Sequence, residues 1–228
     1  MAREKSAATL AISADASAES QPVSARKIKI SPDVADGYVK AFAEIAGRIQ
    51  KSIEATANST QLPVRMIVAG GAAQHFYTAA RVSMDIDATL SKKVLLPTDL
   101  DVPYVDSDGS TRVLYYDRQY SDTFALIHEN ANDDSQPLAL PGIDAAILDV
   151  RLFTPLDLAV SKISRFAEHD QEDIKALARA GLIDAESVRQ RAEEALAGYV
   201  GEQRRVKTSI RLACESIASP RATTKRDR

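Results

Sequence analysis

The residue types and spacings that could do chemistry lie in one stretch, Val68-Ala69-Gly70-Gly71, a helical-looking run, then Asp85-Ile86-Asp87. Val64 to Ala69 is apolar, partly β-branched and stopped by glycine, which marks a short buried strand. Gly70 and Gly71 permit a sharp turn and a close approach of backbone to a ligand, because no Cβ intervenes. The run from Ala72 to Ala80 reads as a helix whose first amides would face an anion held at the glycines. From Ser83 to Leu90 side chains alternate, so Asp85 and Asp87 share one strand face and Met84, Ile86 and Ala88 take the other. Two carboxylates one pleat apart repel unless a cation joins them. A pair of divalent metals about 3.5–4 Å apart, clamping a phosphoryl transfer, would supply it. The plainer alternative is a surface strand with solvated acids, or acids paired to Arg81 and Arg65. The glycines begin neither a dinucleotide fingerprint nor a P-loop. Ser83 shares the face of Asp85, and its hydroxyl either touches a phosphate or bonds locally.

The order apolar-Gly-Gly, helix, Asp-apolar-Asp resembles the signature of the DNA polymerase β-type nucleotidyltransferase superfamily. Arg81 and Ser83 just before the aspartates are similar to the nucleotidyltransferases of abortive-infection and toxin–antitoxin systems and to related domains of unknown function. Thr154-Pro155-Leu156-Asp157-Leu158, then Lys162, Arg165 and the stretch from Asp170 to Asp173, resembles their helical segment. The likeness runs from about residue 62 to about residue 180, and residues 91–146 match nothing in it. It implies metal-dependent transfer of an NMP from an NTP to an acceptor hydroxyl on an RNA (tRNA) end, a protein or a small molecule. Mg²⁺ or Mn²⁺ would be held by Asp85, Asp87 and a third acid from a neighbouring strand. Asp149 suits that place by resemblance, with Asp101, Asp117 and Asp144 as rivals. Gly70, Gly71, Ser83, Lys162 and Arg165 would hold the triphosphate, and a toxin-type enzyme would have a cognate antitoxin as partner. A phosphohydrolase, or a degenerate fold that only binds nucleotide or protein, remains the alternative.

The elements around this stretch follow from pattern. Ser31-Pro32-Asp33 reads as a helix start, with Ser31 as cap and Pro32 first. Val34, Tyr38, Phe42, Ile45, Ile49 and Ile53 then form an amphipathic stripe for packing on a sheet. Asp108-Gly109 between two alternating runs predicts a hairpin. Calcium binding at Asp106 and Asp108 is disfavoured, since tyrosines stand at positions 104 and 115, where an EF-hand loop needs acids. Asn130 to Gln136 is a polar loop. Ala145 to Phe153 reads as a buried strand with one acid, Asp149, which needs a metal or a partner such as Arg151 or Lys162 because burying an unpaired charge is costly. Thr154 caps a helix, Asp170 a second and Asp184 a third, and a fourth covers about 202–218. Lys162 and Arg165 share one face of the first of these.

The expected fold is α/β (α+β): a small mixed sheet with an N-terminal helix and a C-terminal helical region. The expected division is a flexible Ala/Ser-rich tail (1–30), a nucleotidyltransferase-like core (31–153), a helical region (154–219) and a basic tail (220–228). With 228 residues, 45% hydrophobic, the chain can bury one good core. A net charge of −3 gives no global pull towards nucleic acid. Arg204, Arg205, Lys207 and Arg211, joined by Arg221, Lys225, Arg226 and Arg228, are read as a solvated basic face without aromatics for stacking. His75, His128 and His169 show no ligand spacing. One cysteine, no membrane-spanning run and no secretory pattern make a cytoplasmic setting the expectation.

Overall fold

The computed structural model describes residues 30–219 except Ala57, so the tails expected before Ile30 and from Pro220 fall outside the described residues. Helix α1 (Asp36–Thr56) starts one turn later than Pro32, because the Ser31 hydroxyl and carbonyl accept from the Asp33 and Val34 amides and close a turn first. Its stripe of Tyr38, Phe42, Ile45, Ile49 and Ile53 is buried as the periodicity predicts. Each such burial contributes on the order of 1.5–3 kcal/mol.

Strand β1 (Val64–Val68) runs directly into α2 (Gly70–Thr78), so the glycine pair forms the first turn of the helix. The single strand expected over residues 83–90 is two, β2 (Asp85–Ile86) and β3 (Ala88–Leu90). Asp87 stands at the break, where consecutive carbonyls serve different partners. Ile86 O accepts from the Asp117 amide at 3.1 Å and Asp87 O from the Ala69 amide at 2.8 Å. Strands β4 (Asp101–Val105) and β5 (Thr111–Tyr116) form the expected hairpin, with Gly109 at φ +79° in its turn. Asp106 pairs with Arg112 at 2.7 Å. The polar loop contains one short helix, α3 (Ala131–Asp134), and leads to β6 (Gln136–Pro137) and β7 (Leu148–Leu152).

One sheet has the order β3-β1-β7-β6, with β1 and β7 parallel and both outer strands antiparallel. The other is β2-β5-β4, with β2 parallel to β5. Four helices follow: α4 (Pro155–Ile163), α5 (Glu168–Arg179), α6 (Ala185–Ala195) and α7 (Gln203–Ala218). Thr154 and Asp184 cap α4 and α6 through their side chains. Asp170 is not the cap of α5. It lies in the first turn, and its carboxylate reaches back to the Ala167 amide at 3.0 Å. Leu158, Ile163, Ile174, Leu177, Val188 and Ile210 join the sheet residues in one buried cluster. The fold is α+β, small mixed sheets followed by helices, as the pattern predicted.

Candidate active site

Gly70 sits at φ +56°, and a Cβ built there would lie 1.7 Å from Asp87 Oδ2. A Cβ on Gly71 would lie 2.1 Å from Ser83 Oγ. Glycine is therefore required here by the approach of the chain's own acid and hydroxyl as much as by the turn. The Gly71 amide donates to the Asp87 carboxylate at the positive end of α2, and Ser83 Oγ donates to Asp85 Oδ1 at 2.5 Å. Gly70, Gly71, Ser83, Asp85 and Asp87 thus form one contiguous group.

Burial pushes the Asp87 carboxyl up from 3.8 to about 6, and the negative charges of Asp85 and then Asp117 push the same way. The Gly71 amide and the Lys162 ammonium oppose them. Two acids sharing a poorly hydrated face repel in this manner. The third acid of the group is Asp117. Parallel pairing sets Asp85 beside Tyr115 and Ile86 beside Tyr116, and Asp117 follows directly, its amide donating to the Ile86 carbonyl and its charge felt by Asp87.

Asp149 does not join them. It lies opposite Arg65 at the far end of the β1–β7 pair, 3.8 Å from Arg65 Nε and 3.3 Å from Arg151 Nη1. Its charged partners are these two arginines, while Lys162 is paired elsewhere. Asp144 accepts from the Ala146 amide in the turn before β7, and Asp101 is exposed on β4 beside Tyr115.

Lys162 is buried on α4 with its Nζ 2.8 Å from Asp173 Oδ2, and Arg81 makes two bonds of 2.9 Å to the same carboxylate. Burial alone would raise the Asp173 carboxyl, but Arg81 and Lys162 hold it below its ordinary value. Arg81, offered by sequence as a partner of Asp85 and Asp87, belongs instead to Asp173. Arg165 binds Asp170 through two bonds of 2.7 Å while its side chain remains 65% exposed, and its guanidinium feels Asp87. Lys162 and Arg165 therefore lie on the helical side of the acids, each with an aspartate in hand.

Beneath the acids lies a polar pocket of core that the amphipathic stripe did not reveal. Tyr38, fully buried, packs its ring edge-on to His75 at 4.4 Å, and Tyr38 OH and His75 Nε2 have no hydrogen-bond partner. Burial, then Tyr104 and Asp85, push the Tyr38 phenol up. His75 Nδ1 contacts the Arg81 carbonyl at 2.9 Å, and burial pulls the ring below its ordinary value. Only the stripe position of Tyr38 was readable from sequence; its place under two aspartates depends on how α1 crosses α2. Of the basic face on α7, Arg205 bonds the Ser164 carbonyl at 2.7 Å and Arg211 pairs with Glu215 at 2.6 Å.

Among the described residues no three His, Cys, Asp or Glu side chains converge into a metal centre. Magnesium does not require such a cage. It is bound by one or two carboxylates plus substrate phosphates, and Asp85 and Asp87 are carboxylates that could supply such a set. Among the described residues no helix is long and apolar enough to cross a membrane.

A family described as nucleotidyltransferase of unknown function (DUF6036) matches residues 47–218. Neither the curated proteins nor the solved structures contain a match to the chain. The matched span covers most of the chain, including the glycine pair, all the acids discussed above and the four C-terminal helices, and the chain belongs to that family.

Proposed function

We propose that this family member transfers an NMP from an NTP to an acceptor hydroxyl, with Asp85 and Asp87 holding Mg²⁺ or Mn²⁺. One observation carries the reading: Asp87 is packed against Gly70, where burial and then the charges of Asp85 and Asp117 disfavour its own and the Lys162 charge favours it. When bound, the metal would neutralise phosphate oxygens and orient the reacting groups. The Gly71 amide and Ser83 hydroxyl, which serve the acids in the free chain, would turn to a phosphate once a metal takes up those acids. Lys162 and Arg81 face the pyrophosphate side, a compact charge and a planar fork suited to mobile oxygens. Asp117 takes the role for which Asp149 was the expectation, orienting the acceptor hydroxyl and accepting its proton. The acceptor oxygen bonds the α-phosphorus, the bond to the β-phosphate bridge breaks, and pyrophosphate leaves. Catalysis is positioning and charge stabilisation. A toxin-type enzyme in the cytoplasm, with ATP or another NTP, an RNA or protein acceptor and a cognate antitoxin, is the finer reading that the sequence resemblance supports.

The test is incubation with each α-³²P-labelled NTP, Mg²⁺ or Mn²⁺ and total cellular RNA, beside a D85N/D87N variant. Label moving to RNA or protein, and lost in the variant, is the expected result. Labelled NMP released free would make the protein a phosphohydrolase. The saturation of Lys162 and Arg81 by Asp173 favours a second reading, a module that holds nucleotide without turnover. Metal-enhanced NTP binding with no label moved would establish it.

A further inference from the structure

Tyr115 is a large exposed aromatic ring in a chain with few aromatics, and it stands directly beside a catalytic-acid candidate. It lies in register between Asp85 on β2 and Asp101 on β4, and its side chain is 43% exposed. Side chains directly opposite on adjacent strands share a face, so the ring stands on the face that carries Asp85. The strand register alone sets the ring beside Asp85. Two residues back on the same face, Val113 is exposed opposite Pro103, so the ring opens onto an apolar strip.

The two sides of the acids differ in chemistry. The helical side holds Lys162, Arg81 and Arg165, the cations. The β5 side holds Asp117 and Tyr115. In an in-line displacement the attacking and leaving oxygens lie on opposite sides of the phosphorus. If the pyrophosphate lies towards the cations, the acceptor approaches over β5. A sheet face presenting an aromatic ring beside an apolar strip suits a planar group, and bases stack on such rings whatever their sequence.

Building on the nucleotidyl-transfer reading above, we propose that Tyr115 is a specificity-determining residue that stacks on the terminal base of a nucleic-acid acceptor. The acceptor hydroxyl is then that of an unpaired nucleoside end, and a protein serine or threonine, which brings no planar group, is the disfavoured substrate. Stacking lost on alanine substitution corresponds to roughly a 5- to 150-fold weakening for one base.

The experiment uses the full chain, with Y115F, Y115L and Y115A beside the wild type. It measures transfer kinetics with varied RNA acceptor and, separately, anisotropy of a short fluorescein-labelled single-stranded oligoribonucleotide, which needs no turnover. Thermal unfolding of each variant checks that the exposed site leaves the fold intact. The expected result is a raised acceptor KM and weakened oligonucleotide binding in Y115A and Y115L, near-normal values in Y115F, and unchanged kcat and NTP affinity throughout. Equal loss in Y115F and Y115A would assign the effect to the hydroxyl and overturn stacking. Loss of NTP affinity would give the ring to the nucleotide base, and label transferred to a serine or threonine peptide as readily as to RNA would give the acceptor to protein; either overturns the proposal. If the wild type transfers no label but its oligonucleotide binding still depends on the ring, the transfer reading fails and the stacking site stands. Transfer to RNA indifferent to Y115A leaves the transfer reading in place and removes this one.

Discussion

Gly70→Ala tests whether the glycine pair exists to seat Asp87. An L-residue at φ +56° costs about 1–2 kcal/mol in backbone strain. A methyl group placed 1.7 Å from Asp87 Oδ2 must also expel that carboxylate, since Asp87 Cβ lies only 2.8 Å away and the clash involves the whole side chain. Expulsion forfeits the charged hydrogen bond from the Gly71 amide, about 1.5–3 kcal/mol. Together these predict a loss of about 2.5–5 kcal/mol, or roughly 5–20 °C in Tm for a chain of this size. Gly181→Ala is the control, because Gly181 has φ +69° and open space for 4 Å around the position its Cβ would take. It should show the backbone cost alone, about 2–8 °C. The assay is thermal unfolding of both variants with and without Mg²⁺, followed by label transfer. Gly181→Ala should keep the Mg²⁺ response and the activity; Gly70→Ala should lose both. If Gly70→Ala were no less stable than Gly181→Ala and transferred label normally, Asp87 would not be held against Gly70 in the way the reaction is argued to need.

Four further outcomes follow from the same geometry. Because the folded Asp87 carboxyl is raised from 3.8 to about 6, folding binds its proton more tightly, and the charged form costs stability that is fully felt above about pH 6. In metal-free buffer Asp87→Asn should therefore unfold at higher urea than the wild type at pH 7.5, the gap closing as pH falls towards 4; a gap that widens on acidification would refute the assignment. Mg²⁺ should raise the Tm of the wild type at pH 7.5 and not that of D85N/D87N, as ligand linkage requires. Asp117→Asn should lower transfer by at least about 100-fold, in the range of general-base loss, while Asp149→Asn stays within a few-fold of wild type; the reverse order would return the third-acid role to Asp149. Asp173→Ala, which strands the buried Lys162 ammonium and half-exposed Arg81, should cost about 3–5 kcal/mol in chemical denaturation, and a neutral effect would show that neither cation depends on it.

Much of the local structure was legible in the sequence because its causes are local. The Asp108-Gly109 turn, the caps Thr154 and Asp184 and the buried stripe of α1 each depend on residues a few positions apart. Where local signals competed, tertiary bonding decided. Ser31 looked like a helix cap and instead closes a turn whose first amide bonds the Phe76 carbonyl at 2.8 Å. Residues 83–90 alternate as one strand, yet the hydrogen bonds of Ile86 and Asp87 go to different sheets.

The third acid shows the division most clearly. Asp149 sits in a strand of the right kind, an acid within an apolar run, and nothing within that run says which strand lies beside it. Strand pairing is non-local: β7 lies parallel to β1 with Asp149 opposite Arg65, while β5 lies beside β2 and brings the charge of Asp117 within reach of Asp87. The same holds for charge. Sequence supplied Arg81, Lys162 and Asp173 as separate residues, and only the packing of α2, α4 and α5 brought two cations onto one buried carboxylate. The sequence by itself determined the glycine pair, the two aspartates and the elements that present them. Tertiary structure alone decided which acid and which cations stand beside them, because those neighbours come from distant segments whose register no local pattern encodes.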